Sequence, residues 1–157
     1  MNKQNFFDLN FNQLKNFLIE KANVDDNKAK MRTQQLFNAV YKKNIKNFDE
    51  LTTFGLELRE KIKELMSLTK PKIVDIQKSK DGTIKFLLEL KDKRNVETVL
   101  IPDKTQSRYT ICLSVSVGCF LSCEFCATAQ ISKKLVKNLS KGEHNCQSIL
   151  CKDYINE

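Results

Sequence analysis

The sequence has 157 residues, a net charge of +8 and 41% hydrophobic residues. This length suits one ordinary domain or two small ones with a buried core, and it argues against a disulfide-dense miniprotein. No apolar run approaches membrane-spanning length and no secretory signal follows the first residues, so we expect a cytoplasmic location without a membrane partner. The lysine excess favours RNA or DNA as a partner, although a general lysine-rich composition accounts for the charge equally well.

The first 70 residues are predicted to form a small helical domain. Asn10 can cap a helix that begins at Phe11, and further helices are expected at residues 28–42 and 56–68, the last ended by Pro71. Their apolar stripes indicate a helical core. Basic residues on the second helix and after it form either a solvated face or a surface for the phosphates of a folded RNA. These residues are Lys28, Lys30, Arg32, Lys42, Lys43 and Lys46.

After Pro71 the hydrophobic period changes from helical to two residues, which predicts strands at 73–76, 84–90 and 96–101. Asp81–Gly82 is a typical hairpin turn between the first two. We therefore expect a β-hairpin linker segment at residues 71–104, followed by a third segment at 105–157.

A fourth strand is predicted from Tyr109 to Val117. Its apolar residues should share one face, which packs against helices, and Cys112 should lie on the opposite face, toward the interior or a site. A half-buried cysteine without a role explains Cys112 equally well. The apolar set is Ile111, Leu113, Val115 and Val117. Residues 132–138 could begin a helix.

Cys119, Cys123 and Cys126 have the spacing C-x-x-x-C-x-x-C. Closely spaced thiolates hold iron–sulfur clusters or zinc. Three ligands are one short of a closed site, and an iron left without a protein ligand can bind and activate a small molecule. Zinc remains open, because a fourth ligand could come from His144, Cys146 or Cys151.

Residues 96–102, 111–119 and 123–130 resemble the RlmN family of radical S-adenosylmethionine (SAM) methyltransferases. Residues 32–37 and 48–52 resemble the N-terminal accessory domain of that family. The resemblance implies methylation of carbon 2 of adenine in ribosomal RNA and in some transfer RNAs. It also implies an α+β fold, in which a small helical domain precedes a β-rich segment that begins a radical-SAM α/β barrel.

The resemblance implies a role for each matching residue. Cys119, Cys123 and Cys126 match the ligands of a 4Fe-4S cluster whose open iron chelates SAM. Cys112 matches a cysteine that helps to resolve a covalent enzyme–RNA intermediate, and Glu97 matches a proton acceptor. Without the resemblance, Glu97 would be interpreted as an exposed strand carboxylate. An electron donor such as flavodoxin is an expected partner.

The match to the family fades after Glu143, and neither Cys146 nor Cys151 stands where the methyl-bearing cysteine should be. We therefore expect a truncated chain, inactive alone, whose incomplete barrel leaves open edges and one apolar face unburied. A second polypeptide could supply the missing part of the barrel. The alternative is an RNA-binding module with a vestigial or zinc-bound cysteine loop.

Overall fold

The structure is a computed structural model that describes residues 3–103, 105, 108–121, 123–130 and 136–156. The chain divides into two compact units, Met1–Thr69 and Lys70–Glu157, which we call the helical unit and the sheet unit. The predicted division at residue 104 stays a prediction. It falls between two strands that pair with each other in one sheet.

Two helices of the helical unit agree with the sequence pattern. Helix α1 (Phe11–Glu20) begins at Asn10, whose side chain accepts a hydrogen bond from the Gln13 N–H at 2.9 Å while Gln13 Oε1 accepts from the Asn10 N–H at 3.0 Å. This reciprocal pair is a capping box. Helix α2 (Asp26–Phe37) starts two residues before its predicted start and continues as a π-helix over Asn38–Lys42.

The third helix is shorter than predicted. Helix α3 (Leu56–Leu65) ends before Pro71 is reached, because strand β2 (Met66–Ser67) pairs in parallel with strand β1 (Gln4–Asn5) near the start of the chain. This pairing needs extended backbone, and the helical period of the sequence does not reveal it. Short 3₁₀-helices lie at Phe6–Asp8 and Phe48–Glu50. The predicted helical core is confirmed by side chains that are almost fully buried: Phe6, Phe7, Leu14, Leu18, Leu36 and Ile62.

The sheet unit is built on four antiparallel strands in the order β3-β4-β5-β6. Their bounds are Lys72–Lys78, Ile84–Glu89, Asn95–Asp103 and Arg108–Cys112. The predicted hairpin turn joins β3 to β4. Gly82 adopts φ 92°, a conformation that favours glycine, and the Asp81 carboxylate accepts hydrogen bonds from the Thr83 N–H at 3.0 Å and from the Ser79 hydroxyl.

The predicted fourth strand is wrong in its second half. Strand β6 ends at Cys112, and strand β7 (Ser116–Val117) leaves the sheet to pair with strand β8 (Lys137–Asn138). Val117 is buried, but Val115 is 67% exposed, so the predicted apolar face does not hold at Val115. Period-two alternation does not reveal where a strand changes its pairing partner. The predicted helix start is also wrong at residues 137–138, and its residues 132–135 lie outside the described part of the chain.

A long helix that was not predicted from the sequence covers one face of β4 and β5. Helix α4 (Lys141–Ile155) begins at Ser140, which forms a capping box with Glu143. Tyr154 packs against Phe86 with ring centroids 5.0 Å apart, and Asp153 forms a 3.0 Å ion pair with Lys70. The helix and sheet enclose a core of Phe86, Leu88, Leu90, Val96, Leu100, Val117, Leu139 and Cys151.

The prediction that one apolar face stays unburied is therefore wrong for β4 and β5, where α4 supplies the cover. On β3, Ile73, Val74 and Ile76 remain exposed. The mixed α and β class is confirmed. Within the described residues, none of the helices combines the length and the apolar character needed to cross a bilayer.

Candidate functional site

The strands of the sheet unit alternate between a core face under α4 and an opposite face, which we call the open face. On β5, the residues Val96, Thr98 and Leu100 are buried. The intervening Glu97 therefore points to the open face. Cys112 is paired with Val99, which lies on the same side as Glu97, so the Cys112 thiol is also on the open face. The structure thus places Cys112 opposite the buried face, as the alternation predicts.

Glu97 and Cys112 are diagonal neighbours on adjacent strands of the open face. Side chains in this relation lie about 7–8 Å apart, within reach of one substrate group. The Glu97 carboxylate forms a 2.9 Å ion pair with Lys85 and remains about half exposed. The Cys112 side chain is exposed as well. The structure therefore brings together two residues that the sequence analysis selected separately.

Beyond Cys112, the backbone of Ser114 pairs with the side chain of Gln147 on α4. Its Oε1 accepts a 2.9 Å hydrogen bond from the Ser114 N–H, and its Nε2 donates a 3.0 Å hydrogen bond to the Ser114 carbonyl. The Thr98 hydroxyl donates to the same Oε1 at 2.7 Å. Gln147 and Thr98 are both fully buried. A side-chain amide thus takes the place of a neighbouring strand.

The cysteine loop, which we define as residues 118–126, follows directly after β7. Gly118 turns the chain with φ 66°, a left-handed conformation that favours glycine. The Leu121 N–H then donates to Cys119 Sγ at 3.4 Å, and the Cys126 N–H donates to the Cys123 carbonyl at 3.1 Å. A 3₁₀-helix at Ala127–Gln130 follows the loop.

The donor set of this loop fits an iron–sulfur cluster by type. Cys119, Cys123 and Cys126 are all partly exposed, and all six cysteines of the chain lie in its described part without any disulfide among them. No group of three or more His, Cys, Asp or Glu side chains in the described residues is arranged to hold a metal ion. Ligand ordering is coupled to metal binding, so a short loop of thiols can close around a cluster as it binds.

Cys146 and Cys151 are poorly suited to complete a zinc site. Both are buried in α4, and Cys151 belongs to the core under the sheet. Burial raises the pKa of the Cys151 thiol to about 11, so the thiolate is harder to form there than in an exposed cysteine. Metal ligation requires the thiolate. The structure therefore gives no support to Cys151 as a fourth ligand.

Lys137 secures the strand that pairs with β7. Its Nζ lies 2.8 Å from Asp92 Oδ2 and 2.9 Å from Glu143 Oε1. Burial alone would lower the pKa of Lys137, but the hydrogen bonds with the two carboxylates raise it. Hydrogen bonds from Arg94 and then from Lys137 hold the pKa of the Asp92 carboxyl well below its usual range. The cation thus joins β8 to the β4–β5 turn and to the start of α4.

Gln147, Thr98 and Lys137 were not predicted from the sequence as functional residues, because helix α4, to which Gln147 belongs and which Thr98 and Lys137 contact, was not predicted. A signal for this helix was present, since Ser140 followed three residues later by Glu143 is a capping-box pattern. Apolar residues at helical spacing follow it at Cys146, Leu150, Cys151 and Tyr154.

Comparison with known proteins identifies the relatives of this chain. Residues 4–68 match the family described as the ribosomal RNA large subunit methyltransferase N-terminal domain. The chain is also 38% identical over 149 residues to a dual-specificity RNA methyltransferase RlmN from Oleidesulfovibrio alaskensis, covering 95% of this chain and 40% of that protein. By sequence, the chain is similar to RlmN proteins along almost its whole length. An RlmN from Syntrophus aciditrophicus is 34% identical across 100% of this chain and 42% of its own length.

The fold is similar to that of a solved radical SAM methyltransferase. A crystal structure of a radical SAM methyltransferase from Sphaerobacter thermophilus matches with a TM-score of 0.81 and 29% identity, over 98% of this chain and 42% of that protein. The chain thus spans about two fifths of the length of the RlmN relatives and of this neighbour.

Proposed function

We propose that this chain acts in a radical-SAM RNA methyltransferase that modifies carbon 2 of adenine in ribosomal and transfer RNA. One observation carries the proposal. Glu97 and Cys112 are diagonal neighbours on the open face, and the strand that bears Cys112 leads through Ser114 and β7 into the cysteine loop. The similarity to proteins named RNA methyltransferase RlmN and to a radical SAM methyltransferase supports the same reaction class.

Cys119, Cys123 and Cys126 would hold a 4Fe-4S cluster, with SAM at the iron that lacks a protein ligand. When bound, this pair of cofactors supplies the one-electron chemistry that an unreactive aromatic carbon requires. The exposure of the three cysteines leaves room for a ligand beside the loop. The Leu121 N–H that donates to Cys119 Sγ is a contact of the kind that tunes a cluster through its sulfur atoms.

Glu97 and Cys112 act on the RNA in this proposal. The Glu97 carboxylate accepts the proton that leaves the adenine carbon, and its ion pair with Lys85 orients it across the open face. The exposed Cys112 thiolate attacks the sulfur of the methyl-bearing cysteine that links enzyme and RNA, so an S–S bond forms and the S–C bond to the RNA breaks. The electron pair stays on the released carbon, which takes up a proton to become the methyl group, and a thiol reductant then returns the disulfide to two thiols. Neither step needs a movement of the buried core.

The net charge of +8 suits an RNA substrate, because lysine and arginine neutralise phosphates. An electron donor such as flavodoxin and a cytoplasmic location complete the proposal. Because the chain spans about two fifths of its relatives' length, we expect activity to require the remaining length, in the same polypeptide or in a second one. We expect this chain to be inactive alone.

The decisive experiment combines this chain with the remaining length of a relative, supplied in trans. After anaerobic reconstitution with iron and sulfide, adenine methylation at carbon 2 is measured by mass spectrometry of digested ribosomal and transfer RNA. We expect iron and sulfide in the protein, and methylation only in the combined sample. Cys119→Ser should abolish both signals, and Cys146→Ala, which removes a thiol outside the loop, should retain both.

Two results would contradict the proposal. Zinc bound in place of iron after reconstitution would indicate a zinc-bound cysteine loop. RNA binding by the combined sample with a loaded cluster and no methylation would indicate an RNA-binding module with a vestigial loop.

A further inference from the structure

The pairing between β5 and β6 ends at Cys112, but hydrogen bonds still hold the backbone of Ser114 in place. Extending the register that pairs Val99 with Cys112 would put Ser114 opposite Glu97. Ser114 is held opposite Glu97, because its hydroxyl donates a 2.6 Å hydrogen bond to the Glu97 carbonyl. The main-chain N–H and C=O of Ser114 bond instead to the side-chain amide of Gln147.

Gln147 uses its whole hydrogen-bonding capacity in this arrangement. Its Oε1 accepts from the Ser114 N–H and the Thr98 hydroxyl, and its Nε2 donates to the Ser114 carbonyl and, at 3.3 Å, to the Glu143 carbonyl. An amide has two donor hydrogens and two acceptor lone pairs, so all four are satisfied. A fully buried polar group with complete pairing holds its neighbours in one geometry.

We propose that Gln147 is a positioning residue that holds Cys112 and Glu97 in register on the open face. It acts by fixing Ser114, which follows Cys112 by two residues and contacts the backbone of Glu97. Thr98 supports it by fixing the direction of the amide. This inference rests on the proposed roles of Glu97 and Cys112, and it assigns no chemical step to Gln147.

The test compares Gln147→Met with Leu150→Ala in the full 157-residue chain. Methionine fills a similar volume without the four hydrogen bonds. Leu150 lies on the same helix and packs against the same core, so its truncation weakens the packing and leaves the amide network intact. The two measurements are hydrogen exchange at the Ser114 amide by NMR and the alkylation rate of Cys112 by peptide mass spectrometry, both referred to the global stability of each variant.

We expect Gln147→Met to speed exchange at Ser114 on the order of tenfold or more and to speed alkylation of Cys112 several-fold, because a buried hydrogen-bond pair is lost. Leu150→Ala should leave both rates at the wild-type value. Equal changes in the two variants, or no change in either, would overturn the proposal.

If Gln147→Met does not fold, a second pair of variants tests the same positioning role of Gln147. Thr98→Ser keeps the hydroxyl that donates to Gln147, and Thr98→Val removes it with little change in shape. Faster exchange at Ser114 in Thr98→Val, with wild-type exchange in Thr98→Ser, is the expected result, and equal exchange in both overturns it. These rates need neither cluster nor RNA. An inactive reconstituted enzyme with normal Ser114 and Cys112 rates would therefore count against the proposed function and leave the structural role of Gln147 intact.

Discussion

Large apolar side chains are buried on the core face of the sheet and exposed in the cysteine loop. On the core face, Phe86 and Leu88 are each 1% exposed beneath α4. In the loop, Phe120 and Leu121 are more than half exposed, and Phe125 is 94% exposed. Stabilisation follows the apolar area removed from water, so these side chains contribute greatly in the first region and very little in the second.

This difference separates the residues that hold the fold from the residues that we propose carry the chemistry. Glu97, Cys112 and the three loop cysteines all lie outside the core. A rigid support beneath an exposed site is a sound arrangement, because the site can bind cofactor and substrate without disturbing the packing. The two regions should therefore respond differently to mutation, and four predictions test that contrast through the free energy of unfolding.

The largest loss is expected for Phe86→Ala. The ring is almost fully buried and makes an edge-to-face contact with Tyr154. Truncation of such a side chain costs about 3–5 kcal/mol of unfolding free energy. Urea unfolding measures it, and Phe125→Ala is the matched control because it removes the same ring from the exposed loop, where the change should stay within about 0.5 kcal/mol. Similar losses in the two variants would contradict the contrast between the regions.

The next effect is a pH dependence that originates in the core. Burial raises the pKa of Cys151 from its ordinary value of 9.0 to about 11. The unfolded chain releases this proton at a lower pH than the folded one. The contribution of the buried neutral thiol is therefore complete below pH 9 and is lost as the pH rises to about 11, by roughly 2 kcal/mol.

Unfolding of the wild type and Cys151→Ala between pH 8 and 11 measures this effect. The difference in stability between the two should shrink as the pH rises through this window, since alanine lacks the ionising group. A constant difference would show that the thiol does not titrate on unfolding. Leu150→Ala serves as the control, because it perturbs the same core and keeps Cys151, so its difference in stability from the wild type should stay constant across this window.

A smaller loss is expected for Lys137→Met, which leaves Asp92 and Glu143 without their shared cation. The Lys137 side chain is 30% exposed, so screening by water reduces the effect to about 1–2 kcal/mol. Lys93→Met is the matched control, because its ion pair with Glu89 has a lysine that is 73% exposed. Urea unfolding at low salt should show a clear loss for Lys137→Met and almost none for Lys93→Met. Equal losses for both lysines would argue against an anchoring role for Lys137.

The smallest effect on stability is expected for Glu97→Gln. Its ion pair with Lys85 lies on the open face, and such pairs contribute about 0–1 kcal/mol. Methylation by the reconstituted enzyme should nevertheless fall by about 10²–10⁴-fold, because the amide cannot accept the proton. Lys85→Met removes the same ion pair and keeps the base, so its activity should fall much less. An active Glu97→Gln enzyme would exclude the proposed role of Glu97.

The parts of the molecule that local patterns describe were predicted well from the sequence. Asn10 and Gln13 predict the start of α1, and Asp81–Gly82 predicts the β3–β4 hairpin, because each signal acts within a few residues. The position of Cys112 on the face opposite the apolar side chains followed from simple alternation along β6. The capping pattern at Ser140 is equally local, and it would have predicted the start of α4.

Other features were outside the reach of local patterns. The early end of α3 depends on a pairing between β1 and β2, which are separated by most of the helical unit. The break between Cys112 and Ser116 depends on β8 and on Gln147, both of which come from later in the chain. Nothing in the residues around the break indicates which partner their backbone will find.

The sequence by itself determined the three closely spaced thiols, the positive charge and the similarity to the RlmN family, because residue identity and spacing are properties of the covalent chain. Only the tertiary structure decided that Glu97 and Cys112 share one face and that the amide of Gln147 secures the backbone beside them. Such juxtapositions arise when α4 and the strands pack together to remove apolar surface from water, and distance along the chain does not specify them.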